Sequence, residues 1–434
     1  MDLLNKICWA IATVLLIGCG LYYTFRLKGV QFRFKSIIKS LVGSNKSSEG
    51  VSPFETLTLA LAARIGVGSL AGIALGIYKG GIGVLFWIWI SCLITIPNTF
   101  VESLLAIVYR ERDGKYYKGG PAYYISRGLG YKGLAAIYAV VLCICYLGGF
   151  IAIQANTISA SIAKFADTPT YITGLIISLI SFLIIYKGLK QITRFTARLV
   201  PFMGVGYLIV CLIVIFMNIQ EIPSLFLSIF KEAFNIKALG WGFLSSLIIG
   251  VQRGIFSSES GIGTGACASG TSDSKEPLKQ GFIQMFGVYF SSFIVCTSTA
   301  LIIISAKMDL SSYSNVNGIE IVSDALNYHL GSISRIILLI AIVTFAFSTV
   351  ISGYYYGESN LKYLFKNISN NAILFVKLVV VLIIMYGSIA QPSTLWNLAD
   401  IGVALLAVVN IVAIFLLRRK VVSEYYNGVQ NDRE

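Results

Sequence analysis

The sequence is short of charge and almost without histidine. Only 12% of its 434 residues are Asp, Glu, Lys or Arg, and one is His. A soluble domain carries about 25% charged residues. That deficit, beside 56% hydrophobic residues, excludes a water-soluble fold. Eight cysteines at no zinc-ligand spacing, with His329 alone, argue against a common metal centre. Most of those cysteines fall in apolar runs and read as small packing residues, while His329 falls in an expected loop and reads as a surface residue. No grouping of Ser, Cys and His suits nucleophilic catalysis, so the chain does not read as an enzyme.

Long apolar runs are what the sequence has instead. They fall at 7–25, 54–78, 83–108, 134–163, 170–186, 199–217, 240–256, 280–306, 334–352, 372–390 and 394–417, each near the length of a bilayer-spanning helix. The first run lacks a small-residue cleavage site and continues into a basic loop, so it reads as a span and not a signal peptide. With the N-terminus outside, the inside segments hold 25 Lys and Arg against seven outside. That bias implies an N-out, C-in orientation, and it assigns the net charge of +14 to membrane sorting rather than to nucleic acid. Residues 224–236 have helical apolar spacing and fit an external interfacial helix. The polar tail after Arg418 reads as disordered.

Glycines interrupt two of these spans. One cluster is Gly66, Gly68 and Gly72; the other runs from Gly250 and Gly254 to Gly261 and Gly263. A spanning helix satisfies its own backbone, so clustered glycines at membrane depth suggest peptide groups opened toward a cavity. After the first span, ten remain, and the interrupted ones lead each set of five with opposite orientation. The division is then 1–50 (an extra helix and basic loop), 51–218 (a five-helix repeat), 219–239 (an external connection), 240–417 (the inverted repeat) and 418–434 (an inner tail). In such inverted repeats the ligands sit where the broken helices meet.

Unwinding at Gly66-Val67-Gly68-Ser69 would free the amides of Val67, Gly68 and Ser69 at a helix N-terminus, a setting suited to a carboxylate. Carbonyls near Ala62 and Ile65 would face a cation. Close packing through the Gly68, Gly72, Gly76 spacing is the competing explanation. Ser348 and Thr349 offer adjacent hydroxyls, either to a hard cation or back to their own helix carbonyls. Gln154 could serve a substrate carboxylate or hold helices together. Arg64, Glu102, Arg253, Glu259 and Asp400 are intramembrane or near-membrane charges and thus functional candidates. Arg253 and Glu259 suit gating or structural pairing, Asp400 a proton site or helix-end partner, and Glu102 solvation near the inner interface. Gly119 to Ile125 reads as a turn feeding a short amphipathic helix.

Seven ordered segments between about residue 50 and 417 resemble one family. Arg253-Gly-Ile-Phe-Ser-Ser-Glu259-Ser-Gly261-Ile-Gly263 resembles the signature RGxFSNEAGxGS, and Leu61 to Gly72 resembles AARVGTGNIAG. Gly119 to Ile125, Gln154-Ala-Asn156, Val200-Pro-Phe-Met203, Phe345-Ala-Phe-Ser-Thr349 through Glu358, and Leu395 to Asp400 match as well. Together they resemble the alanine or glycine:cation symporter family. The resemblance implies an all-α polytopic membrane protein with a leucine-transporter-like 5+5 inverted repeat, one preceding helix and 11 transmembrane helices. It also implies Na+-coupled uptake of a small amino acid. The chain is accordingly read as a monomer that moves a neutral amino acid by alternating access in a cell membrane of bacterial type. Substrate would lie on Gly66, Val67, Gly68, Ser69 and Gln154, lined by Ile249, Gly250 and Gly353. Na+ would lie between Ala62, Ile65, Phe345, Ser348 and Thr349. A proton-coupled transporter working through Asp400 or Glu259 is the alternative, and an ion channel is a more distant one.

The departures from the pattern are specific. The family's GTGN reads Gly66-Val-Gly-Ser69, its SNEAG reads Ser257-Ser-Glu-Ser-Gly261, and Gly353 stands where a Trp is usual. Loss of that large side chain suggests a pocket roomier than alanine or glycine requires.

Overall fold

In this computed structural model, residues 2–44, 50–234, 241–313 and 318–431 are described, with backbone alone for 2–4, 241–245 and 392–394. Helices occupy all eleven of the expected positions. Eight of them are individually long and apolar enough to cross a membrane, and a bent pair, Pro53–Arg64 with Val67–Gly80, makes a ninth. Thr170–Tyr186 is apolar but shorter, and Trp241–Ser258 completes the set. Residues 235–240, within the expected external connection, lie outside the described residues.

The first helix, α1 (Asp2–Arg26), packs along α19 (Pro392–Leu416) and α5 (Val84–Val108). A short α2 (Phe34–Leu41) leads to the bent pair α3 (Pro53–Arg64) and α4 (Ala71–Gly80). The start of α3 is fixed by a capping box: Ser52 accepts from the Glu55 amide, Glu55 accepts from the Ser52 amide, and Pro53 follows at the first helical position. A small hairpin, β1 (Glu111–Asp113) with β2 (Tyr116–Lys118), precedes α6 (Pro121–Gly128), the short helix expected after Gly119-Gly120. Then come α7 (Lys132–Leu142), α8 (Ile151–Ala166), α9 (Thr170–Tyr186), α10 (Leu189–Met217) and the peripheral α11 (Ile222–Ala233).

The second half begins with α12 (Trp241–Ser258) and α13 (Thr264–Ser269), separated by a break. It continues through α14 (Pro277–Val288), α15 (Thr297–Ser305), α16 (Gly318–Leu330), α17 (Ile333–Leu364), α18 (Asn370–Ile389), α19 and α20 (Arg418–Asn431). Two long spans pass through π-helical segments, Cys143–Phe150 between α7 and α8 and Tyr289–Cys296 between α14 and α15. Such segments re-aim side chains and recur at functional sites.

Burial sorts the helices by role. The apolar window of α5 is 67% buried, that of α18 only 28%, so α5 is central and α18 faces lipid. Accordingly α5 buries Thr95, Asn98, Thr99 and Glu102, while α18 exposes Phe375, Leu382 and Tyr386. This is the membrane pattern, with polar groups inward and apolar ones outward.

Two expectations fail here. The tail after Arg418 is helical: Tyr425 is fully buried, donates to the Leu27 carbonyl at 3.0 Å and meets Phe100 edge-on. Its aromatic anchors outweigh its polar composition. His329 lies in α16, half-buried, with its Nε2 3.2 Å from the Ile302 carbonyl and its Nδ1 3.3 Å from Asn218 Nδ2. The buried Ile319, Val322, Ala325 and Leu326 give that helix its apolar face.

Candidate substrate and cation site

At the first break, α3 ends at Arg64, residues 67–69 form one 3-10 turn, and the two arms meet at 60°. Gly66 has φ −106°, which any residue adopts, so glycine is required here for room. A Cβ at this position would lie 2.5 Å from Thr349 Oγ1 and 3.4 Å from Gln154 Oε1. Likewise, a Cβ at Gly68 would press on the Phe256 ring at 3.0 Å. Gly76 packs beneath Arg253, whose Cγ would be 3.4 Å from an added Cβ. Thus Gly66 and Gly68 admit Thr349 and Phe256 where a side chain would collide, while Gly76 makes an ordinary packing contact.

Four oxygens converge beside Gly66. Ser348 Oγ lies 3.2 Å from the Ala62 carbonyl and 2.8 Å from that of Phe345; for Thr349 Oγ1 the distances are 2.8 and 3.0 Å. Each hydroxyl has one proton, so two protons serve four contacts and lone pairs remain. Bonding back to Phe345 is ordinary for Ser and Thr in a span. The reach across to Ala62, at the negative end of α3, is not. Ile65 is fully buried just beyond that helix end. An all-oxygen set of this kind suits a hard cation.

Only part of the expected amide cradle is open. Ser69 donates both its amide (3.2 Å) and its hydroxyl (2.8 Å) to the Gly66 carbonyl, because the unwound stretch recloses as a 3-10 turn. The Val67 amide donates to Gln154 Oε1 at 3.3 Å. Gly68 N–H has no backbone partner among the described residues. Gln154 is therefore brought onto the hinge.

The second break is of another kind. Helix α12 passes unbroken through Gly250 and Gly254, which fit α5 closely: added Cβ atoms would lie 2.4 Å from Trp87 Cβ and 2.6 Å from Ser91 Oγ. Ile249 packs toward Gly80. Ile249 and Gly250 are thus placed against α4 and α5, and Phe256 of α12 packs on Gly68 in the 66–69 turn. The interruption is confined to 259–263, where Glu259, Gly261 and Gly263 have φ of 52°, 82° and 92°. Glu259 is buried, accepts from the Tyr146 hydroxyl through Oε1 and leaves Oε2 without a partner. Glu102, expected to be solvated, is fully buried and accepts from Asn410 Nδ2 at 2.9 Å. Arg64 is also buried and bonds the Gln284 carbonyl and side chain, both at 3.2 Å.

Sequence reasoning missed the aromatic wall between the breaks. Tyr146 stacks on Phe150 at 4.5 Å, Phe150 on Phe256 at 5.2 Å, and Phe256 tilts against Trp396 at 5.6 Å. Tyr146 and Phe150 come from the first π segment, whose Gly148-Gly149 pair was the available signal. Gly353 turns toward this wall, with Tyr146 Cδ1 3.6 Å and Ile151 Cγ1 3.7 Å from an added Cβ. Above it, Arg253 lies over Phe256 and Trp396 and pairs with Asp400 at 3.6 Å, while Gln252 donates to the same carboxylate oxygen at 3.3 Å. Asp400 is thus a partner of Arg253, and Glu259 is a separate group tied to Tyr146.

Two interrupted helices, an oxygen cluster at one of them and an aromatic wall between them define a membrane transporter. Solved structures share this leucine-transporter-like fold. MhsT in complex with L-phenylalanine has a TM-score of 0.60 at 12% identity, over 86% of this chain and 90% of that one. A Na+-coupled sialic acid symporter has 0.54 at 13% identity, over 98% and 86%. The chain belongs to the sodium:alanine symporter family, whose model matches residues 1–433. It is 37% identical over 422 residues to the probable sodium/glutamine symporter GlnT of Bacillus subtilis (strain 168), over 96% of this chain and 87% of that protein. It is 34% identical over 411 residues to the amino-acid carrier protein AlsT of the same organism, over 94% and 87%. A third relative is the sodium/alanine symporter AgcS of Methanococcus maripaludis (strain S2), 32% identical over 98% of this chain and 95% of that one. As a member of this family, the chain is a multi-pass membrane transporter and not an enzyme.

Proposed function

We propose that the chain imports a neutral amino acid together with Na+ by alternating access, as a monomer of eleven spans in the cell membrane with its N-terminus outside. The carrying observation is the convergence at Gly66, where Thr349 of the oxygen cluster and Gln154 of the amide cradle both approach one glycine. Ion and substrate then share a hinge. Na+ among Ala62, Phe345, Ser348 and Thr349, with Ile65 beside them, holds α3 against α17 and sets the turn that presents the Val67 and Gly68 amides to a carboxylate. Gln154 gives up its bond to Val67 as substrate arrives. Substrate in turn draws Phe256 and the Arg253–Asp400 pair over the site, and the two five-helix repeats, 51–218 and 240–417, rock to release both inside. Each ligand raises the affinity of the other by the same factor. The inside excess of Lys and Arg supports the orientation even with the buried Arg253 set aside.

Gly353 removes bulk from the aromatic wall, so the substrate class extends beyond alanine and glycine to side chains the size of serine or glutamine. GlnT, the relative named for glutamine, supports that reading. Uptake of a panel of labelled amino acids into proteoliposomes, with and without an inward Na+ gradient, tests it. Accumulation of a neutral amino acid only with Na+ is expected, and displacement by glycine and alanine alone would refute the wider pocket. Proton coupling is the second reading, favoured by the unpartnered Oε2 of buried Glu259. It requires uptake that collapses with a protonophore at constant Na+.

A further inference from the structure

Helix α10 carries a basic groove that the transport site does not use. Lys187, Lys190, Gln191, Arg194 and Arg198 line a cavity of about 790 Å³ at one end of α9 and α10. Its floor is apolar, formed by the half-buried Phe195 and Leu199, with the exposed Phe202 at its edge. Lys190 is committed to Glu55 and the Gly50 carbonyl. Lys187, Arg194 and Arg198 are exposed and have no ion-pair partner among the described residues. Arg194 and Arg198 are one helical turn apart, so both guanidinium groups stand over the same face. Beyond the groove, α10 continues as a lipid-facing surface, with Phe202 68% exposed and Val205 and Ile209 exposed after it. Cations at the bilayer margin therefore lead directly onto apolar surface at membrane depth.

We propose that this groove binds an anionic phospholipid, its phosphate on Arg194, Arg198 and Lys187 and its acyl chains along Phe202, Val205 and Ile209. A bidentate guanidinium–phosphate contact favours this headgroup over a zwitterionic one, whose cationic end the groove repels. The apolar continuation commits the site to a lipid rather than to free phosphate. Position gives the lipid a consequence. Phe195, on the groove floor, meets Phe347 edge-on at 5.8 Å, and Tyr207, further along α10, meets Phe345 at 5.3 Å. Phe345 and Phe347 lie in the turn of α17 that immediately precedes Ser348 and Thr349. A headgroup drawing α10 inward thus braces the helix that presents the candidate cation ligands.

The test is native mass spectrometry of the full chain in detergent with phosphatidylglycerol or phosphatidylcholine, comparing wild type with R194Q/R198Q. An equal charge change in the hairpin, R112Q/K115Q, serves as the control. Each basic residue near an anionic surface contributes a factor of about five, so the groove variant is expected to bind phosphatidylglycerol roughly thirtyfold more weakly. The control is expected to bind it as wild type does. Equal retention by all three proteins, equal retention of phosphatidylcholine, or displacement by millimolar inorganic phosphate would each overturn the proposal. The readout needs no transport, so it stands or falls separately from the Na+ reading.

Discussion

The two helix breaks use glycine for opposite reasons. At Gly66 the backbone is ordinary and the missing side chain makes space for Thr349 and Gln154. At Gly261 and Gly263 the backbone is left-handed, a conformation glycine adopts without strain, and even Glu259 is held there. The first break is a junction between side chains of α8 and α17. The second is a rigid corner that fixes a buried carboxylate and ends α12 beneath Phe256.

That contrast is open to direct attack. Gly263→Ala combines the left-handed penalty with a collision 2.4 Å from Pro121 Cγ. It is expected to cost about 2–5 kcal/mol, seen as a large fall in melting temperature in detergent. Gly66→Ala carries only the collision with Thr349 Oγ1, about 1–3 kcal/mol. Adding Thr349→Ala is expected to restore its stability, whereas the same addition leaves Gly263→Ala unimproved. Rescue of both, or of neither, breaks the distinction.

A smaller change sharpens it from the wall between the breaks. Gly353→Trp is expected to leave alanine uptake within a few-fold of wild type while removing uptake of larger neutral amino acids, since one bulky group in a pocket discriminates by about 1–3 kcal/mol. Competition assays read this directly. The smallest effect lies away from both breaks. Burial holds the His329 pKa below its ordinary 6.5, and Nδ1 is positioned to accept from Asn218. The unfolded chain therefore takes up the proton first. The stability contributed by neutral His329 is complete above about pH 6.5 and is lost as pH falls below it. His329→Gln is expected to flatten that slope in melting curves measured from pH 7.5 to 5.5.

The helices and the first break were legible because apolar length and glycine clustering are local signals, whereas the second break, expected from Gly250 onward, begins only at Glu259. The oxygen cluster was legible only through the family motif, since Ala62 and Ser348 lie 286 residues apart and no spacing joins them. The aromatic wall was not legible from apolar periodicity, because Tyr146 and Phe150 reach the site through a π segment marked only by the Gly148-Gly149 pair. Nor did the sequence show what each glycine admits: Gly250 makes room for Trp87 of α5, and Gly66 for Thr349 of α17. The hairpin at 111–118 turns at Gly114-Lys115, where Gly114 takes the left-handed backbone, and its three-residue strands are too short for an alternating pattern to reveal.

The most direct test of the shared hinge is equilibrium binding of labelled substrate to purified protein as Na+ is varied, in wild type, Ser348→Ala and Thr349→Ala. The expected result is a half-saturating Na+ concentration raised roughly tenfold or more in both variants, the loss of about 1.4 kcal/mol of cation binding, with substrate affinity recovering at high Na+. An unchanged Na+ dependence in either variant would contradict it.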